Sequence, residues 1–142
     1  MARSCRVTFS REGVLMRGLL SGIALALLAG CSQPPAATLS GGKPVSHWVE
    51  ALQSSPDAKV RKEAAFKLGN VGPADPSAFT ALAGALKDRE TVVRCEVILA
   101  LVKFGSAARE VLPALSELRD RDPDTKVRGY AAKAVEAIQS KE

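Results

Sequence analysis

A chain of 142 residues has room for one domain and a short appendage. Its formal charge of +5 overstates its basicity. Arg3, Arg6, Arg11 and Arg17 crowd residues 1–30 beside the single acid Glu12. Setting those four aside from 20 cations, and that one from 15 acids, leaves a balance of +2 with both signs interspersed, which excludes a nucleic-acid footprint. Aromatics at 4% and plentiful alanine argue for closely packed small helices and against a β fold.

Behind the arginines, Gly18 to Ala29 form an apolar run of twelve. A bilayer core needs roughly 20 residues to span, so this run fits the apolar region of a secretory signal instead. It ends in Leu28-Ala29-Gly30-Cys31, which resembles a bacterial lipobox. The resemblance implies a signal peptide over residues 1–30, a diacylglyceryl group on the Cys31 thiol, cleavage just before Cys31, and acylation of the new amine by a chain such as palmitate. Several acyl chains at about 0.8 kcal/mol per buried methylene would hold the protein on a membrane. Ser32, rather than an aspartate, resembles outer-membrane sorting where two membranes are present. The address is therefore a bacterial membrane, with the domain facing the periplasm. An ordinary cleaved signal with an incidental cysteine is the alternative, and Met16 is an alternative start. With Cys5 removed and Cys31 lipidated, only Cys95 is left, so neither an internal disulfide nor a zinc site is expected.

Residues 31–45 read as the lipidated cysteine and a flexible tether. From Ser32 to Val45 the residues are mostly proline, glycine and small polar side chains, too poor in apolar surface to order themselves. Stretched at about 3.3–3.6 Å per residue, such a tether reaches roughly 50 Å. Gly41-Gly42-Lys43 lacks the upstream glycine, the hydroxyl residue and the strand of a phosphate loop, and reads as linker.

From residue 46 onward the chain repeats itself. Val93-Arg94-Cys95-Glu96-Val97-Ile98-Leu99-Ala100-Leu101 has one copy upstream at Val60–Leu68 and another downstream at Val127–Val135. Offsets 0, 4 and 8 place Val93, Val97, Leu101 and their counterparts on one helical stripe. A fixed period near 34 marks stacked repeats that bury their apolar faces on one another. Repeat one (about 46–72) pairs a helix from Ser46 to Gln53, capped by Ser46 and carrying Trp48, Val49 and Leu52, with one from Asp57 to Asn70 opened by Ser55-Pro56. Trp48 is placed to close the open end of the stack. Repeat two (about 75–105) opens at Asp75-Pro76, buries Phe79, Leu82 and Leu86, and continues with a helix from about Glu90 to Phe104. Repeat three (about 107–139) uses Leu112, Leu115 and Leu118, with Asp122-Pro123 capping a last helix.

This pattern resembles HEAT repeats, in particular the short variety first named for phycobilisome lyases. The elements are Pro56-Asp57 before Val60-Arg61, Leu86-Lys87-Asp88 before Val93-Arg94, and Leu118-Arg119-Asp120 with Asp122-Pro123-Asp124 before Val127-Arg128. The resemblance implies an all-α fold, a short right-handed α-solenoid of three helical hairpins over residues 46–142. It also implies an inter-repeat ladder built by an acid six residues before each arginine. Asp88 with Arg94 and Asp122 with Arg128 match. Arg61 lacks its acid, because Ser55 stands there.

No catalytic residue is expected. His47 is the only histidine, with no acid or thiol at ligand spacing, so no metal or cofactor is assigned. Cys95, two positions past Val93 and so on the side of the helix away from it, reads as inert and partly covered, with an intermolecular disulfide as the alternative. In a HEAT stack the second helices line the concave side, to which offsets 2, 6 and 9 point. Phe66, Leu99 and Val102 would form an apolar strip there, with Tyr130 at its edge and Lys62 and Lys133 bordering it, a pattern that marks contact surfaces. Alternatively these side chains pack on neighbouring repeats. The function expected is a membrane-anchored, non-catalytic protein-interaction scaffold for a partner the sequence does not name, with self-association open to it. The alternatives are a lyase-like or enzyme-associated subunit handling a prosthetic group, and a spacer without a ligand.

Overall fold

The structure, a computed structural model, describes residues 39–140. The signal segment 1–30, Cys31 and the tether up to residue 38 lie outside the described residues. Six α-helices follow a small hairpin: β1 (Leu39–Ser40), β2 (Lys43–Pro44), α1 (Val45–Ser54), α2 (Ala58–Val71), α3 (Pro76–Ala85), α4 (Thr91–Val102), α5 (Leu112–Arg121) and α6 (Thr125–Gln139). They form three antiparallel pairs. The second helices α2, α4 and α6 pack side by side in one layer, with α1 on α2, α3 on α4 and α5 on α6. The chain is thus the all-α solenoid that its period implies.

The core follows the repeat. Val93, Val97 and Leu101 are completely buried, as are their counterparts Ala64, Leu68, Val127 and Ala131. Each large aliphatic side chain so placed contributes about 1.5–3 kcal/mol. Val60 departs from the pattern at 39% exposed, because among the described residues no second helix precedes α2, whereas α2 and α4 precede Val93 and Val127. Phe104, just past α4, closes the second repeat against Phe79, with ring centroids 5.5 Å apart.

Four details differ from the sequence expectation. Residues 39–44 of the expected tether are ordered: Gly41 and Gly42 both take positive φ (58° and 77°), which lets this segment turn back as a two-stranded hairpin. It seals the first repeat, since Trp48 Nε1 donates to Ser40 O (2.8 Å) and Ser40 Oγ donates to Lys67 O (2.9 Å). Trp48, buried beneath it, meets Lys43 and Lys67 over its ring at 5.2 and 5.8 Å. Consequently α1 starts at Val45 after Pro44, and Ser46 caps nothing. The other two corrections concern caps. Asp57, not Ser55, caps α2 by accepting from Lys59 N (2.8 Å), and Asp124, not Asp122, caps α6 by accepting from Lys126 N (2.7 Å). The Asp122 carboxylate is already engaged by an arginine. Asp75 with Pro76 opens α3 as its sequence implies.

Candidate functional site

Two edges of the second-helix layer carry the polar chemistry of the described residues. The first is the ladder. Arg61 Nε and Nη2 donate to Asp88 Oδ2 and Oδ1 (2.7 and 2.9 Å), and Arg94 Nε and Nη2 donate to Asp122 Oδ2 and Oδ1 (both 2.9 Å). These are forked, charge-assisted pairs across repeat boundaries. The register differs from that expected. Each arginine reaches the acid of the following repeat, while its own Nη1 donates to backbone carbonyls five and six residues earlier. Arg61 is therefore fully paired although Ser55 is no acid, and of the three ladder arginines Arg128 is the one without a carboxylate among the described residues. With Nη1 held by its own loop, each of these two guanidinium groups has Nε and Nη2 left for the acid of the next repeat. Burial pushes the Asp88 carboxyl up, but the Arg61 fork and the Glu90 N–H outweigh it and hold Asp88 below the usual carboxylate range.

The second edge is the outer face of α2, α4 and α6. Phe66 (44% exposed), Leu99 (43%) and Tyr130 (39%) stand on successive helices. Between α4 and α6 lies a shallow groove of about 270 Å³, which Lys62 of α2 also borders; it is lined by Val92, Cys95, Leu99, Lys126 and Tyr130 among others. Its α4 wall consists of Thr91, Val92, Cys95, Glu96 and Leu99, the last four on one face at spacings of three and four.

Of the predicted strip, the groove brings together Lys62, Leu99 and Tyr130. Phe66 lies outside it, beneath Lys103, whose Nζ sits 5.0 Å from the ring centroid and donates to Asn70 Oδ1 (2.8 Å). Lys133 is exposed and likewise not part of the groove lining. Val102 is half-buried against the core rather than on the strip. Three residues past Leu99, it is turned by about 60° toward the next repeat. The matching position in α2 is Gly69, buried where an added Cβ would meet Ala100 Cβ at 2.7 Å. Val92 and Lys126 line the groove without belonging to the predicted strip, although helical spacing puts them on the same faces as Leu99 and Tyr130.

Nothing among the described residues resembles an acid–base or nucleophilic centre. His47 is exposed, with Nε2 3.1 Å from Lys43 Nζ and its ring edge-on to Trp48 at 5.0 Å. Cys95 is half-buried, and burial first, then the Asp124 carboxylate, push its thiol up, away from the reactive thiolate. Among the described residues, no group of three or more His, Cys, Asp or Glu side chains could hold a metal ion, and no helix is long and apolar enough to cross a membrane.

Compared with known families, residues 45–136 match the model of HEAT repeats. No curated protein matches the chain.

Proposed function

The chain belongs to the HEAT repeat family, and we propose that it is a lipid-anchored, non-catalytic scaffold that holds a protein partner in the groove between α4 and α6. HEAT repeats generally mediate protein–protein interaction. The observation that carries the site is the run of exposed apolar side chains, Phe66, Leu99 and Tyr130, one on each successive second helix, beside a groove with Lys62 and Lys126 at its rim. Exposed apolar groups on successive helices beside a groove rimmed by charge mark a contact surface. The lysines favour a partner with acidic residues beside its apolar anchors.

The anchor rests on Leu28-Ala29-Gly30-Cys31. Cleaved and acylated at Cys31, the chain would sit on the periplasmic side of a bacterial membrane, with the hairpin of residues 39–44 a few residues on from the lipid.

A photo-reactive amino acid placed at Leu99 in the native envelope should cross-link to a partner, and placed at the exposed Thr80 of α3 it should not. Lys62→Glu should weaken the Leu99 product. Equal cross-linking at both positions, or none at Leu99, refutes the assignment. Incorporation of labelled palmitate that survives Cys31→Ala would refute the anchor separately.

A further inference from the structure

The ladder contains two filled rungs and a third set of donors with no carboxylate opposite among the described residues. In each filled rung the arginine is clamped before it reaches across. Arg61 Nη1 donates to the carbonyls of Ser55 and Pro56 (2.9 and 3.1 Å), and Arg94 Nη1 to those of Asp88 and Arg89 (2.8 and 3.3 Å). Arg128 Nη1 makes the same clamp, to the carbonyls of Asp122 and Pro123 (2.7 and 3.2 Å). Its Nε and Nη2 meet no acid among the described residues. A guanidinium fixed in this way has already lost most of the side-chain freedom that binding would remove.

The second rung reads more than one acid. Besides the Arg94 fork on Asp122, Thr91 Oγ1 donates to Asp124 Oδ2 (3.4 Å), so Asp122-Pro123-Asp124 is held at both carboxylates. Thr125 precedes Arg128 by three residues, as Thr91 precedes Arg94, and it is exposed. The first rung has Ala58 there and engages the side chain of Asp88 alone. The outer edge of α6 therefore copies the donor pair that recognises Asp-Pro-Asp.

We infer that Thr125 and Arg128 form a carboxylate socket, distinct from the α4–α6 groove, whose occupant is an Asp-X-Asp turn of another protein. The chemistry of the occupant is set by the internal copies. Asp88 and Asp122 each accept the backbone N–H two residues on (2.8 and 2.9 Å) while facing the guanidinium. The ligand is thus a folded turn at a helix start. A second copy of the chain offers a poor match, because its first turn reads Ser55-Pro56-Asp57, with a serine where the forked acid belongs. The matching face of α6 also differs in residue type: Glu136 stands where Gly69 is buried against Ala100 and Val102 is half-buried against the core. A charged side chain at that place suits a loop rather than a packed helix pair.

The full chain, isotope-labelled in detergent micelles at low salt, is titrated with a peptide of residues 118–127 of this sequence. Saturable shifts should appear at Thr125 to Arg128 and at the Arg128 Nε–H. Affinity should fall about tenfold in Arg128→Gln and with a peptide carrying Asn for both aspartates. Thr125→Val, at an exposed position, should give a smaller loss that tracks the second aspartate only. An unchanged titration in Arg128→Gln, equal binding of the Asn peptide, or shifts centred on Leu99 would each overturn the socket. Concentration-dependent self-association abolished by Arg128→Gln would overturn the choice of occupant in favour of a second copy.

Discussion

The junction between the first and second repeats and that between the second and third share their second-helix contacts and differ in their first helices. At the first junction α2 lies on α4, with Gly69 against Ala100, and α1 lies on α3. At the second, α4 lies on α6, but α5 barely reaches α3, leaving a groove of about 270 Å³ lined by Leu86, Ala114 and Leu118 among others. The connectors account for this. A short turn, Gly72–Ala74, leads into α3, whereas the seven-residue Gly105–Val111 leads into α5 and buries its own Ala108 and Val111. The connector fills space that a first helix would otherwise fill. The second-helix layer and its rungs therefore hold the stack, and the first helices follow their connectors.

The largest test of that contrast is removal of a rung. Arg94→Ala strands Asp122, whose side chain is 3% exposed, and should destabilise by about 3–5 kcal/mol in urea melts. Arg61→Ala strands Asp88, 10% exposed, and should cost less. Next comes packing. Gly69→Ala puts a Cβ 2.7 Å from Ala100 Cβ and 2.9 Å from its Cα, so α2 and α4 must separate, at a cost of about 1–3 kcal/mol. Ala114→Leu adds a larger group at the open seam and should stay within about 0.5 kcal/mol of wild type. Equal losses at both sites would show the two junctions to be equally close-packed.

The first rung also has a pH signature. Asp88 is held below its ordinary range in the folded chain, so its contribution is complete above about pH 4 and is lost as the pH falls below that. The stability difference between wild type and Arg61→Gln should therefore shrink between pH 7 and pH 3. A constant difference would mean that Arg61 acts only through its bonds to the Ser55 and Pro56 carbonyls.

How much of this was legible in the sequence depends on whether the cause is local. The repeats and their buried stripe follow from 3.6-residue periodicity, and α3 from Asp75-Pro76. The ladder residues were also legible, but not their register, because spacing within a repeat says nothing of which repeat an outward-directed fork meets. The caps at Asp57 and Asp124 stand two residues past the Ser-Pro and Asp-Pro signals, each beside its helix and accepting from the N–H two residues on. The hairpin over residues 39–44 was hidden by composition, since two glycines read as linker until Trp48 and Lys67 supply partners for Ser40. The outer face was half legible. Leu99 and Tyr130 fell out of helical spacing, while Val102 and Gly69 needed the position of the next helix.

The smallest expected effects lie on that outer face, and they separate packing from contact. Phe66 belongs to the first junction, where Lys103, just past α4, covers its ring at 5.0 Å. Phe66→Ala should thus cost about 0.5–1 kcal/mol from the lost cation–π contact. Leu99 belongs to the second junction and has 43% of its surface open beside the groove. Leu99→Ser should cost no more than about 1 kcal/mol, because 43% of the side chain is already open to solvent. A loss of several kcal/mol in Leu99→Ser would make it a packing residue of the α4–α6 seam. A silent melt together with loss of cross-linking from Tyr130 would separate the two roles, because a side chain that stabilises nothing in the free chain has its apolar surface available for a partner.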